Sequence, residues 1–207
     1  MTDVADHRAI TAVSEAVRGV LRSSYRREDF DGTELEFEIY TTADFTTRTI
    51  ENGVTLFLYR IYIAGSNRIP PGRIGLDGRR RRPQLPLELH YLVTIWAKQY
   101  TLQHSLAAWT MRTLEDNALL GSGVLDAGGR TTFRPDEAVE LSLAEMRTED
   151  LFRIWEVLGP SPYRLSIPYL ARVVAVESVE RVPSTEGPPV QDRTFREGAL
   201  VPAGGPP

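Results

Sequence analysis

Apolar residues recur at every second position in the stretch Leu85–Ala97, which reads LPLELHYLVTIWA. The even-numbered positions are mixed, whereas the following odd-numbered positions are all apolar: Leu87, Leu89, Tyr91, Val93 and Ile95. This period of two predicts a central strand with one fully buried face. At about 1.5–3 kcal/mol for each large buried side chain, that face contributes on the order of 10 kcal/mol before entropy is counted. We therefore expect the other elements to pack around this strand.

The same patterning predicts further strands and helices along the chain. Alternation predicts strands over Glu34–Tyr40, Val139–Leu143 and Tyr163–Val182, and Val54–Ile63, which is apolar on both faces, predicts a strand in the interior of the sheet. Apolar residues at helical spacing predict helices over Val4–Ser24, after Ala97, and from Thr148 to Leu158 with Thr148 as N-cap. Asn52-Gly53 is a turn signal that suggests a hairpin between the first two strands. Pro168 cannot donate to a ladder and points to an edge or a bulge.

Two segments break this pattern. Residues 64–85 hold several prolines and glycines and the run Arg79–Arg82, and loops of this length are usually functional or disordered. Residues 183–207 are rich in Pro and Gly and too poor in apolar groups to fold alone. We therefore expect one domain over residues 1–182, with a long loop at 64–85, followed by an extended tail.

Composition excludes several classes of protein. The 207 residues are 42% hydrophobic and 25% charged, as in globular proteins, and hold no apolar run long enough for a membrane span. Zero cysteines exclude disulfides and thiolate metal sites. The net charge of −4 gives no overall attraction to nucleic acid. The start MTDVADHRAITAV lacks a secretory signal pattern, so we expect synthesis in the cytoplasm.

Few residues suggest chemistry. His90, His104, Glu88 and Asp116 could form a metal or acid–base cluster, but the spacing of the histidines matches no common ligand motif and favours structural roles. Gly121-Ser122-Gly123 is not a nucleophile elbow, and we place it in a flexible loop. The short glycine clusters at 72–75 and 128–129 lack the setting of a phosphate-binding loop. We expect no enzyme activity, no cofactor and no metal.

The basic run is the main candidate for a binding site. Arg79, Arg80, Arg81 and Arg82 repel one another, and three interpretations stay open: a solvated loop, docking onto an acidic protein surface, and contact with nucleic acid. No aromatic residue interleaves the run, which argues against single-stranded nucleic acid. An acidic surface of the required kind is a stripe on another subunit: Glu34, Glu36 and Glu38.

Several motifs in sequence order resemble one family. The most specific are Leu85–Tyr91, then Trp155 with Leu158 and Gly159, and finally Tyr163–Val174. Together with HSLAAWTMRTLEDN and VELSL, they resemble the N-terminal domain of cap or tube-terminator proteins from extracellular contractile injection systems, which are phage-tail-like particles. The resemblance covers Ala5–Val182.

The resemblance implies a fold and a structural role. The fold would be α/β, a single domain with a mixed β-sheet flanked by helices, similar to phage tail terminators. The protein would be a bacterial cap that closes the inner tube as a ring, a homohexamer by analogy, and also contacts the sheath protein. Its particle would assemble in the cytoplasm and then be released or stay inside the cell. The alternatives are an adaptor or sheath-binding component of the same particle and a small hydrolase-type enzyme.

Overall fold

The computed structural model describes residues 7–64, 84–127, 132–159 and 162–176. A mixed six-stranded sheet, flanked by helices on both faces, has the strand order β1-β2-β3-β6-β5-β4. The strands are β1 (Glu36–Tyr40), β2 (Gly53–Ile63), β3 (Leu85–Trp96), β4 (Leu119–Gly121), β5 (Ala138–Leu143) and β6 (Ser166–Val176). The helices are α1 (Ala9–Ser24), α2 (Asp44–Thr47), α3 (Tyr100–Asp116), α4 (Ser122–Leu125) and α5 (Thr148–Leu158). The predicted fold class is confirmed.

Strand β3 is central, as the alternating pattern predicts. It pairs antiparallel with β2 on one side and with β6 on the other. Its odd-numbered residues from Leu87 to Ile95 are buried in the main core. From Leu92 to Trp96 the even-numbered residues are buried as well, because a second cluster covers that end of the opposite face. The strand therefore holds together two separate hydrophobic layers.

The main core lies between the sheet and helices α1, α3 and α4, and we call this side of the sheet the α1 face. Among the described residues helix α1 begins at Ala9, and the predicted start at Val4 lies outside them; the inward side of the helix is apolar at helical spacing. Residues of α1 buried in this core are Ala9, Val13, Ala16, Val17, Val20 and Leu21. The Ser14 and Tyr91 hydroxyls form a buried hydrogen bond of 2.8 Å, which fixes α1 on the central strand.

A smaller aromatic cluster lies on the opposite side, which we call the α5 face. It consists of Tyr40, Phe45, Ile50, Leu92, Trp96, Trp155 and Leu158. Ser166 Oγ lies beneath α5 and receives a hydrogen bond from Trp155 Nε1 at 3.3 Å. The same oxygen lies 3.1 Å from Thr94 Oγ1 and donates to the Arg164 carbonyl at 2.9 Å. One hydroxyl thus joins α5, β3 and β6.

The predicted hairpin between the first two strands is wrong, since β1 and β2 pair in parallel. The chain between them forms α2 and carries Phe45 and Ile50 into the aromatic cluster. Gly53 enters β2 with φ of 154°, and a Cβ there would lie 2.0 Å from the Glu36 backbone oxygen. The Asn52-Gly53 signal therefore marks a close approach of two parallel strands instead of a two-residue turn.

Pro168 lies inside the sheet yet at a local edge. Strand β6 has neighbours on both sides, but β5 ends at Leu143, and the next amide, Ala144 N–H, donates to the Pro168 carbonyl at 3.0 Å. The nitrogen and the carbonyl of one strand residue point toward the same neighbouring strand, so the proline nitrogen faces the chain just beyond the end of β5, where no strand partner needs an N–H donor. The register bulge occurs further on, where Leu89 pairs with Ala171 and Leu87 with Val174.

Two local boundaries differ from expectation. Thr148 is the first residue of α5, and Arg147 is its N-cap with extended backbone. The helix ends at Leu158, and Gly159 follows as C-cap with a φ of 117°, in the region that favours glycine. Ser122 follows strand β4 and begins the single turn α4, so it occupies a strand-to-helix junction instead of a flexible loop.

Candidate interaction surfaces

The residues predicted to bind a partner fall in two places. Arg79, Arg80, Arg81 and Arg82 lie outside the described residues. The acidic residues Glu34, Glu36 and Glu38 lie just before and within edge strand β1. Glu34 is 3.4 Å from Arg27, and Glu38 is 3.7 Å from Arg48. Two of the three carboxylates thus have an intramolecular cation nearby, although Glu34 and both arginines are exposed and Glu38 is only half-buried, so both pairs are weak.

Only part of the acidic stripe on β1 is exposed to solvent. Glu34 and Glu36 are exposed and Glu38 is half-buried, but Tyr40 on the same side of the strand is buried in the aromatic cluster. Tyr40 contacts Phe45 edge-on at 5.3 Å, because α2 covers this end of β1. The acidic stripe is consequently limited to the start of the strand.

The candidate acid–base residues are not brought together. His90 is on β3 and contacts Tyr59 and Tyr62, whereas His104 is on α3 beside Tyr100. Burial lowers the pKa of His90 below its ordinary value and so favours the neutral imidazole. Glu88 instead lies 3.9 Å from Arg172, and Asp116 pairs with Arg112 on α3. Within the described ranges, no three His, Asp or Glu side chains could hold a metal ion.

Ser122 is held in a structural contact. Its hydroxyl donates to the Pro135 carbonyl at 3.4 Å, a contact that joins α4 to the segment before β5. The neighbouring groove between α1 and α4 has a volume of about 940 Å³ and is lined by charged groups of both signs, including Glu15, Arg18 and Asp126. The two short glycine clusters, at residues 72–75 and 128–129, lie outside the described residues.

An exposed apolar surface at one end of the sheet departs from the sequence prediction. Strand β2 is apolar on both sides, which predicts a buried strand, but only its first half is buried. Ile61 and Ile63 pair with Leu89 and Leu87 and so lie on the α1 face, yet they are 46% and 54% exposed. Together with Leu85, which is also exposed, we call them the ribbon end.

A second exposed surface carries no charge. The sequence from Gln99 to Met111 contains no Asp, Glu, Lys or Arg, although it forms most of helix α3. We call its exposed α3 residues the neutral α3 face: Tyr100, Thr101, His104, Ser105, Ala108 and Met111. Tyr100 is 73% exposed and Met111 is 37% exposed. Sequence reasoning missed this surface, though the run of uncharged residues on a surface helix was a usable signal.

The described elements contain no helix that is both long and apolar enough to span a bilayer.

Two solved structures share this fold. One is described as an extracellular contractile injection system, PVC sheath/tube terminator in the extended state, with a TM-score of 0.56 and 18% identity over 84% of this chain. The other is the anti-feeding prophage cap, a tube-terminating cap, with a TM-score of 0.55 and 17% identity over 83% of this chain. The matches cover 58% and 56% of those longer chains. No curated protein matches.

The sequence itself matches a family over most of its length. Residues 12–192 match the family described as the Pvc16 N-terminal domain. The match runs from Ala12, one turn into α1, past the end of β6 and includes every described element between them. The resemblance found in the sequence motifs is thereby confirmed, and the chain belongs to the Pvc16 N-terminal domain family.

Proposed function

We propose that this protein is a structural cap that terminates the inner tube of a contractile injection system as a closed ring of subunits. The observation that carries the proposal is the family match over residues 12–192, together with a fold similar to a sheath/tube terminator and to a tube-terminating cap. The sheet and its two hydrophobic layers supply a rigid body, and the exposed surfaces supply the contacts.

The mechanism of such a cap is geometric. A tube grows by adding rings, and a ring stops growth when its outer face offers no surface for another copy of the tube protein. Head-to-tail contacts between identical subunits close into a ring when the rotation between neighbours divides a full turn. By analogy the ring has six subunits. Each specific contact needs to bury upward of about 1,000 Å².

The decisive experiment is the length distribution of particles from cells that lack this protein, measured by negative-stain electron microscopy. We expect overlong or unstable tubes, and particles that lose their sheath. Complementation with the wild-type chain should restore a narrow length distribution. Fully sheathed particles of normal length in the deletion strain would contradict termination and favour an adaptor role in the same particle.

The basic run is proposed as a docking contact within this particle. Arg79–Arg82 replaced by four serines should weaken attachment of the cap and abolish the salt sensitivity of attachment, with the fold intact. Four lysines at the same positions are the matched control, because they keep the charge and should retain attachment at low salt. Unchanged assembly of the serine variant would reject a docking role.

The acidic partner of that run is proposed to be the start of strand β1 on another subunit. Glu36 is the informative position, because it is exposed on β1 while its neighbours Glu34 and Glu38 lie near Arg27 and Arg48. Glu36→Lys should weaken ring contacts at low salt, and Glu140→Lys, on β5 at the other side of the sheet, is the control. Equal effects of the two changes would argue against a local contact.

A further inference from the structure

The neutral α3 face differs from every other long helix surface of the described chain. The outward side of α1 carries Glu15, Arg18 and Arg22, and that of α5 carries four charged residues: Glu149, Asp150, Arg153 and Glu156. On α3 the first three turns present only uncharged side chains, and the first charge is Arg112. In a chain with 25% charged residues, thirteen consecutive positions without a charge, most of them exposed or half-exposed, form a distinct surface.

This face shares two features with the centres of protein interfaces: it lacks charged residues and it carries a tyrosine and a methionine. Interface centres are depleted in charged residues and enriched in tyrosine and methionine. Tyr100 and Met111 lie at the two ends of the face, and Ser105 and Ala108, one turn apart, leave its middle low enough for another backbone to approach. Tyr100 also contacts the His104 ring at 6.0 Å, which orders the aromatic end before any partner arrives.

The ribbon end is a second uncharged surface on the same molecule. Ile61, Ile63 and Leu85 project on the α1 face beyond the helices that bury Leu87 and Leu89 beside them. Helix α3 begins after the opposite end of β3 and packs on the α1 face over β3 and β5. Both surfaces are exposed in the single chain, so neither covers the other and each is open to a partner.

We propose that the neutral α3 face of one subunit binds the ribbon end of a second copy of this chain. The two surfaces complement each other: the ribbon end offers branched apolar side chains, and the α3 face offers an uncharged surface with a low middle. Burying a charged group against the ribbon end would be unfavourable, and the neutral α3 face has no charged group to bury. Two different surfaces on one subunit are what a head-to-tail contact requires. The inference rests on the proposed ring.

Cysteine cross-linking tests the contact directly, because the chain contains no cysteine. Ala108→Cys and Ile63→Cys are introduced singly and together into the full chain, which is purified both alone and in particles from producing cells. We expect disulfide-linked dimers when the two single variants are mixed, and a ladder up to the full ring from the double variant. Thr11→Cys on the exposed side of α1 is the matched control with Ile63→Cys and should give no specific dimer.

A charge exchange supplies an independent readout. Ala108→Arg alone and Ile63→Glu alone should each abolish ring formation, because each buries an unpaired charge at the contact. The chain that carries both changes should recover rings, as observed by native mass spectrometry and electron microscopy. Circular dichroism and melting temperature show whether each variant is folded.

Each outcome bears on the inference. Rings that form without a 63–108 cross-link would overturn this contact and leave the proposed cap intact. A cross-link from Ala108→Cys alone, without Ile63→Cys, would overturn it in favour of a symmetric α3–α3 contact. A cross-link to the tube protein instead would assign the α3 face to the tube. Cross-linked rings on particles whose length does not depend on the protein would support the contact and contradict termination.

Discussion

The hydroxyl of Ser166 has an influence on stability out of proportion to its size. Its proton goes to the Arg164 carbonyl, so both its lone pairs are free to accept from Thr94 Oγ1 and Trp155 Nε1. Ser166, Thr94 and Trp155 are all buried. Ser166→Ala removes one oxygen and leaves two buried donors without this acceptor, each at about 1–3 kcal/mol.

We therefore expect Ser166→Ala to lower the free energy of unfolding by about 2–4 kcal/mol, a large part of the 5–15 kcal/mol of a typical domain. Urea denaturation followed by tryptophan fluorescence measures the change, with an unaltered m-value as the sign that the fold is retained. Ser105→Ala, the same substitution on the exposed α3 face, is the control and should stay within about 0.5 kcal/mol.

A double-variant cycle checks the reasoning further. Thr94→Val removes one donor but leaves Ser166 its bonds to Trp155 and Arg164, so its cost should be near 1 kcal/mol. Added to Ser166→Ala, it removes one of the two orphaned donors, and the combined loss should be smaller than the sum. A loss below about 1 kcal/mol for Ser166→Ala, or strict additivity in the cycle, would refute the network.

Three further predictions concern single positions. Leu92→Ala should cost about 2–5 kcal/mol because Leu92 is fully buried in the aromatic cluster, whereas Leu119→Ala, at a site 70% exposed, should cost almost nothing in the same denaturation assay. Gly53→Ala should lower the melting temperature sharply, since its Cβ would meet the Glu36 backbone; an unchanged melting curve would contradict that close approach. Burial lowers the pKa of His90 below 6.5, so the unfolded chain binds this proton more readily and stability should fall as pH drops through 6.5. His90→Gln should flatten that pH dependence, and an identical slope in both proteins would show that His90 does not cause it.

The sequence predicts the central elements well because their signals are local. The alternation in Leu85–Ala97 and the helical spacing in α1 and α5 describe which side of each element is buried, and the structure buries those sides. Which strand pairs with which is not a local property. The Asn52-Gly53 signal records a special backbone position but not its partner, so the parallel pairing of β1 with β2 could not be read from it.

The interaction surfaces are harder to predict for a different reason. A side chain buried in a core and one kept for a partner are equally apolar, so Ile61 and Ile63 resemble core residues in sequence. Only the placement of α1 and α3 decides that they stay exposed. On α3 the signal is the absence of Asp, Glu, Lys and Arg from Gln99 to Met111, which an analysis of hydrophobic periodicity does not detect.

The strand order has a consequence for synthesis. Strand β6 is the last described strand in the chain but lies in the interior of the sheet, between β3 and β5. Until residues up to Val176 have left the ribosome, strands β3 and β5 each have one edge without a hydrogen-bonding partner, and their apolar side chains cannot be buried in a complete core. A chain truncated before that point would have two unpaired strand edges and an incomplete core. Chaperones and proteases recognise such features, so they can distinguish incomplete copies from those able to assemble.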